Sequence, residues 1–518
     1  ARKRGERATV DIPALIDDVL RVLQSDLQDK DIHLWVDGDK LRYRAPQGAL
    51  SEELKSQLTR HKPEIISFLH DGTRGIATIA KAKRDGLMPL SSAEEGLWLL
   101  EQINPGQSAW NMQSGLHIRG PLDINAFQKS LDSLIERHET LRTSFRVVDG
   151  RSARLIAPTL AVELSIMTLE PQQDVNAAIH QIAAADQNTP FNLASAPLWR
   201  VKLLRVNDRE HVFLFTIHHI ISDSSSIRIL YREIFDLYQS YSQGRTPAQS
   251  EAPIQYADYA HWQRRAEHEV TASHLAYWKD KLDHFSTSEI PSDRRRPEER
   301  SYRGAKQRLA LGPTLTQAMR EVCSQERATM FMLMVAGFKL LLHRYTGNND
   351  IIVGPATAGR NRPELENLIG MFINILPLRT DLSGQPSFRA LLRRVRDVCL
   401  EAYQRQDLRF EPLVEELYPG RGLSRNSFFQ VLFDVVNLPS NRREAAGLAL
   451  ETLPGPEDVA RYEIVIRTPQ TGASMEVWID YSVDLFAPER TTELLEQYKY
   501  LLEQIVGNPD QEIDRYSL

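Results

Sequence analysis

The chain has 518 residues, 42% hydrophobic and 25% charged, with a formal net charge of -6. This length exceeds what one hydrophobic core serves, so two to four domains or lobes are expected, of ordinary globular composition. The weak acidity gives no pull toward nucleic acid, and two distant cysteines, Cys323 and Cys399, exclude a disulfide framework and fit a reducing cytoplasm.

Ala1-Arg2-Lys3-Arg4 is basic, but no apolar signal core follows it. Asp11 is a helix cap with Pro13 in the first turn, and Leu15, Ile16, Val19, Leu20, Leu23 and Leu27 then recur at helical spacing. Ile32-His33-Leu34-Trp35-Val36 and Lys40-Leu41-Arg42-Tyr43-Arg44 alternate with period two around Asp37-Gly38, a strong hairpin signal. In the second strand Lys40, Arg42 and Arg44 fall on one face, and Leu41 and Tyr43 on the other. Ser51 caps a second helix with Glu52 and Glu53 in its first turn, and Pro63 opens a third with Ile65, Ile66 and Leu69 on its apolar side. Residues 1–72 therefore read as a small αββαα unit, and 73–87, with scattered Gly and Lys/Arg, as a linker.

From Leu90 onward, strand-like and helix-like runs alternate to the end of the chain, which makes the class α/β (α+β). Val212 to Ile217 is a continuous apolar run of strand length, expected to be central and covered on both faces. Ile227 to Tyr241 and Phe331 to Tyr345 read as helices, and Asp350 to Gly354 as a second buried strand. The longest apolar run, Met330 to Phe338, is too short to span a bilayer and is interrupted by Lys339, so no membrane partner is expected. Two lobes, 88–265 and 266–518, are the simplest division.

The stretch His218-His219-Ile220-Ile221-Ser222-Asp223-Ser224-Ser225-Ser226 begins where the apolar strand stops and ends where a helix starts, with Ser226 as its cap. Side chains at such a junction reach a cleft from rigid support. Adjacent histidines on extended backbone point to opposite faces, so they cannot do the same job. By residue type alone the pair fits structural, metal-binding or catalytic roles. No third ligand stands at familiar spacing, so no metal site is expected.

His218-His219-x-x-x-Asp223 resembles the active-site motif of nonribosomal peptide synthetase condensation domains, of the chloramphenicol acetyltransferase-like superfamily. Other motifs of that family follow in order. Leu90 to Trp98 resembles the first, and Arg137-His138-Glu139-Thr140-Leu141-Arg142-Thr143-Ser144-Phe145 the second. Tyr256 to Trp262 resembles the fourth, Ile369 to Asn374 with Arg379 the fifth, Gln406-Asp407 with Phe410-Glu411 the sixth, and Ser424 to Gln430 the last. Separately, Leu34-Trp35-Val36, Gly38, Leu41-Arg42-Tyr43 and Ala45-Pro46-x-Gly48 resemble the N-terminal docking domain of the tubulysin-synthetase type. The family usually has Gly at Ser224, Arg near Gly96, His at Arg405 and Pro at Arg409 and Ser427.

The resemblance implies two lobes forming a V-shaped pseudo-dimer behind a docking domain. It implies that an upstream acyl or peptidyl thioester is attacked by the amine of a downstream aminoacyl thioester. Both substrates ride on phosphopantetheine arms of carrier proteins, and no cofactor is bound. His219 is assigned to the amine and His218 to structure. Asp223 is expected to pair with Arg142, with Arg142 and Asn374 supporting the site. The backbone of Ser224, Ser225 and Ser226 is a candidate oxyanion or substrate-arm contact. Lys40, Arg42, Arg44 and Tyr43 are the expected docking surface for an acidic C-terminal peptide of the preceding subunit. The donor is expected to be L-configured or achiral, and the chain to be a piece of a larger subunit. An epimerisation-type domain, a catalytically silent recruitment module and a free coenzyme A acyltransferase are the alternatives.

Overall fold

A computed structural model describes the strands 33–37 and 40–44, positions 55, 58, 59, 62 and 65, and residues 79–518 apart from 85, 171–173, 248–253, 286–288, 418–428, 435–441, 454, 456–457 and 472. The expected hairpin is present: His33–Asp37 pairs antiparallel with Lys40–Arg44, Trp35 opposite Arg42 and Leu34 opposite Tyr43. Lys55, Leu58, Thr59, Lys62 and Ile65 are helical, and Leu58 and Ile65 are buried. The helix expected over Leu15 to Leu27 lies outside the described residues.

The stretch read as a linker is pinned from Ile79 onward. The Ala82 N–H donates to Asp258 Oδ1 at 2.7 Å, and the Arg84 guanidinium bridges Asp258 and Glu139, each at 2.7 Å. One cation between two carboxylates holds this segment against the second and fourth motifs.

The first lobe is built on a six-stranded sheet in the order 442–445, 448–453, 111–119, 210–218, 199–207, 165–168. Glu210–His218 lies inside it, as its apolar run predicts. Phe213, Phe215 and Ile217 enter one core with Phe127, Leu131 and Phe235, and Val212 and Leu214 enter another with Ile179. The helix Ser224–Ser242 packs on the first of these faces through Ile234 and Phe235.

The second lobe centres on Asp350–Thr357, Val431–Asp434 and Ile464–Arg467 as parallel neighbours, extended antiparallel by Ser474–Ser482 and Gly304–Ala310. The apolar helix Met330–Thr346 is buried against it, capped by Thr329 and ended at Gly347 with φ 69°.

The expected division of the lobes lies at residue 265. That position falls inside the helix Tyr256–Lys281. The hairpin Arg442–Ala445 and Leu448–Leu453 also returns from the second half to pair with Asn111–Arg119, and Leu448 and Leu450 are buried in the first core. The strand edge is thereby covered by chain from the other half. Among the described residues no helix is long and apolar enough to cross a membrane.

Lys339 is fully buried in the Met330–Thr346 helix, donating to the Leu378 carbonyl at 2.7 Å and to Thr380 Oγ1 at 2.6 Å. Burial lowers its ammonium pKa from 10.5 to about 7. The unfolded chain therefore binds the proton first, and folding stability falls as pH drops from 10.5 toward about 7. Against a Lys339→Met variant, wild type should lose relative stability across that window and run parallel below it. Denaturant titrations at several pH values check this, and a difference independent of pH would contradict it.

Candidate functional site

The site forms where the strand Glu210–His218 ends. His218 is the last strand residue, and His219 opens a single 3-10 turn, His219–Ile221. His218 Nδ1 accepts the Ile220 N–H at 3.1 Å, and the His218 backbone N–H donates to the Leu198 carbonyl at 2.9 Å. Burial, the neighbouring His219 and Arg461 lower its pKa to about 3, so the imidazole is neutral at physiological pH.

His219 is held differently. Its backbone N–H donates to the Trp110 carbonyl at 2.8 Å, and the Trp110 ring stands edge-on to the imidazole at 6.1 Å. Nδ1 has no hydrogen-bond partner among the described residues. Burial and then the Arg461 cation depress its pKa to about 4, against the opposing pull of its own backbone, of Asp223 and of the Ser222 backbone. The imidazole is therefore neutral at physiological pH, with an uncommitted ring nitrogen.

Asp223 makes the loop rigid. It caps Ser224–Ser242, its Oδ1 accepting the Ser226 N–H at 2.7 Å and the Ser226 hydroxyl at 2.8 Å. The expected cap at Ser226 is thus three residues late: the side chain with two acceptor oxygens takes that place. Asp223 also accepts the Phe372 N–H at 3.1 Å.

The expected Asp223–Arg142 pair is not formed. Arg360 pairs with Asp223 instead, Nη2 lying 3.0 Å from Oδ1 and 3.2 Å from Oδ2. Both side chains are almost wholly buried. Arg360 also donates to the Leu365 and Leu368 carbonyls at 2.6 and 2.7 Å and stacks on the Phe372 ring at 4.1 Å. Arg142 donates to backbone carbonyls, those of Ile135, Glu136, Ala157 and Pro158. It ties the end of the helix Ile124–Arg137 to the exit of the strand Arg151–Ile156, away from Asp223.

The fifth motif is the other wall of this network. Ser226 Oγ lies 2.9 Å from the Gly370 carbonyl oxygen and accepts the Gly370 N–H at 3.1 Å. Thr140 of the second motif donates to the Ile369 carbonyl at 3.0 Å. Tyr256 of the fourth donates to the Met371 carbonyl at 2.5 Å and meets Ser91 of the first at 2.9 Å. Gly370 must be glycine, since a Cβ there would fall 1.8 Å from the Tyr256 ring. The Asn374 amide donates to the Gln406 and Leu408 carbonyls, and its oxygen accepts the Phe410 N–H. Arg409 donates to the Phe372 carbonyl at 2.7 Å and to Tyr259. Ser224 is exposed and Ser225 half-buried, whereas Ser226 is buried with its N–H committed to Asp223, so it leaves the set of oxyanion donors.

A condensation-domain family model matches residues 84–518. The chain belongs to the condensation-domain family. Residues 22–71 match the TubC N-terminal docking domain. Curated relatives include a linear gramicidin synthase of Brevibacillus parabrevis, 39% identical over 88% of this chain and 6% of its own length. Bacitracin synthase 2 of Bacillus licheniformis is 31% identical over 94% of this chain and 18% of its own length. The condensation domain thus spans a small part of the synthetases it resembles. Among solved structures, a complex of the X-domain and OxyB from teicoplanin biosynthesis matches at TM-score 0.79 and 25% identity, over 86% of this chain and 98% of that one. The starter condensation domain of rhizomide synthetase RzmA shares the fold at TM-score 0.71 and 21% identity, over 83% of this chain and 97% of that one. The family is that of amide-bond-forming acyltransferases of peptide synthetases, whose substrates are carried on phosphopantetheine.

Sequence reasoning misses Arg360, Trp110 and Arg461. Gly359-Arg360 after a buried strand is the available signal for the first: Gly359 takes φ 62°, and a Cβ there would lie 1.9 Å from the Phe372 carbonyl oxygen.

Proposed function

We propose that this condensation domain joins an upstream carrier-bound acyl or peptidyl group to a downstream aminoacyl amine at His219. The carrying observation is the buried, neutral imidazole with one free ring nitrogen, on a loop locked from both halves of the chain. The amine nitrogen attacks the thioester carbonyl, a C–N bond forms, the C–S bond breaks, and the upstream arm leaves as a thiol carrying the proton. An α-amine titrates near ~8. An imidazole held at about 4 is a weak base toward it. The main work of His219 is then to accept a hydrogen bond from the amine, orient its lone pair, and relay the proton as positive charge builds. The Ser224 and Ser225 N–H groups, in the first turn of the helix, are the remaining backbone donors for the oxyanion. Product formation from loaded donor and acceptor carriers tests the reading. The X-domain match, seen with a protein partner, makes recruitment without chemistry the second reading, and absence of product under those conditions would favour it.

For the partner, the reading is an edge strand that takes a short acidic peptide from the preceding subunit. Among the described residues the hairpin strands pair only with each other, and Arg42 and Tyr43 are exposed. Backbone pairing would supply affinity, and Lys40, Arg42 and Arg44 would supply register and choice of partner. Each exposed charge is worth roughly 0.2–1 kcal/mol, so binding should be weak and salt-sensitive. Changing all three to Glu should abolish transfer from the native upstream subunit and spare condensation at high donor-carrier concentration. Calorimetry with the upstream tail at low and high salt is the direct measurement, and affinity unchanged by the triple variant would refute this surface.

A further inference from the structure

Arg461 lies in the second half, just ahead of the strand Ile464–Arg467. Its Nε donates to the Ala109 carbonyl and its Nη2 to the Asn111 carbonyl, both at 2.7 Å. These two carbonyls flank Trp110, and the guanidinium carbon lies 5.8 Å from the Trp110 ring centroid. Trp110 is the residue that meets His219 twice, through its carbonyl at 2.8 Å and through its ring at 6.1 Å. One chain of contacts therefore runs from the second half of the molecule, through the lead-in to the strand Asn111–Arg119, to the imidazole. A planar fork with fixed donors suits two carbonyls on either side of one residue, and a lysine cannot reproduce it.

We propose that Arg461 is a positioning residue: by gripping both carbonyls around Trp110 it fixes the Trp110 backbone and ring, and through them the orientation of the His219 imidazole. For turnover this rests on the role given to His219 above; the structural link stands without it. The guanidinium belongs to one half of the chain and the imidazole to the other, so the geometry of the site depends on the contact between them.

The charge has a second consequence. The charged groups acting on His219 are Arg461 from the opposite half and Asp223 from its own loop, and His219 in turn acts on the neighbouring His218. Arg467 and Asp480 stand behind Arg461 and act on it. Arg461 favours the neutral imidazole and Asp223 the protonated one, so removing the guanidinium alone must move imidazole titration to higher pH.

The test uses the full chain with histidine labelled for NMR, the His219 signal being assigned by its loss in His219→Asn. In Arg461→Met, the His219 ring signal should titrate at higher pH than in wild type. Single-turnover condensation should fall about a hundred-fold, as expected for a misplaced reacting group, with KM for the acceptor carrier near wild type. Arg461→Lys keeps a charge on one donor, so it should retain the wild-type titration and lose turnover by a smaller factor. It also carries the test should the methionine variant not fold. A His219 titration in Arg461→Met that superimposes on wild type overturns the proposal, as does full turnover in Arg461→Lys. A shifted titration with unchanged turnover in Arg461→Met leaves Arg461 only its charge effect on the imidazole and overturns the positioning role.

Discussion

His219→Ala is expected to melt close to wild type and to lose most of its amide-forming activity with loaded carriers. The side chain is buried, but Nδ1 has no hydrogen-bond partner among the described residues, and no buried ion pair depends on the ring. The backbone bond to Trp110 survives the substitution. Turnover should fall by ~10²–10⁴, the range typical of a positioned proton-transfer group. His218→Ala should behave in the opposite way, losing stability because the Ile220 N–H loses its acceptor in the tight turn. Rates from a single-turnover assay, set beside thermal melts of both variants, separate the two histidines. Wild-type product formation in His219→Ala would remove it from the mechanism.

The second large effect is structural. Asp223 receives hydrogen bonds from Ser226 N–H and hydroxyl, Phe372 N–H and Arg360, and its pair with Arg360 is almost wholly buried. Asp223→Ala leaves the Arg360 guanidinium buried without its counter-charge and several donors without an acceptor. Breaking one side of such a pair costs ~3–5 kcal/mol. Arg360→Ala should cost a similar amount, since the Asp223 carboxylate is then the orphan. The double variant should cost clearly less than the sum, because no lone charge remains. Arg142→Ala should not couple to either. Denaturant unfolding gives the cycle, and activity should fall with stability in both single variants. Normal stability with a selective loss of turnover in Asp223→Ala would instead place the carboxylate in the chemistry.

These expectations show where sequence reading works. The hairpin, the buried strand ending at His218 and the apolar helix from Met330 follow from local periodicity and turn chemistry, and the structure contains each of them. The expected helix start falls three residues late because Ser and Asp are both good caps, and only the backbone path chooses between them. Asn374 is legible through its motif, and its hydrogen bonds to 406–410 agree with a supporting role.

The sequence by itself determined the family, the docking unit ahead of it and the loop that carries His218, His219 and Asp223, because motif order, alternation and capping are written in neighbouring residues. Only the tertiary structure decided which cation neutralises Asp223. Arg142 was the expected choice, yet a buried carboxylate pairs with the guanidinium that the topology delivers, and that is Arg360, 137 positions away. The same holds for Arg461 on Trp110 and for the hairpin that returns from 442–453 to complete the first sheet. Periodicity fixes which face of an element is apolar, but desolvation leaves a buried charge only the partner that the folded chain brings within hydrogen-bonding reach.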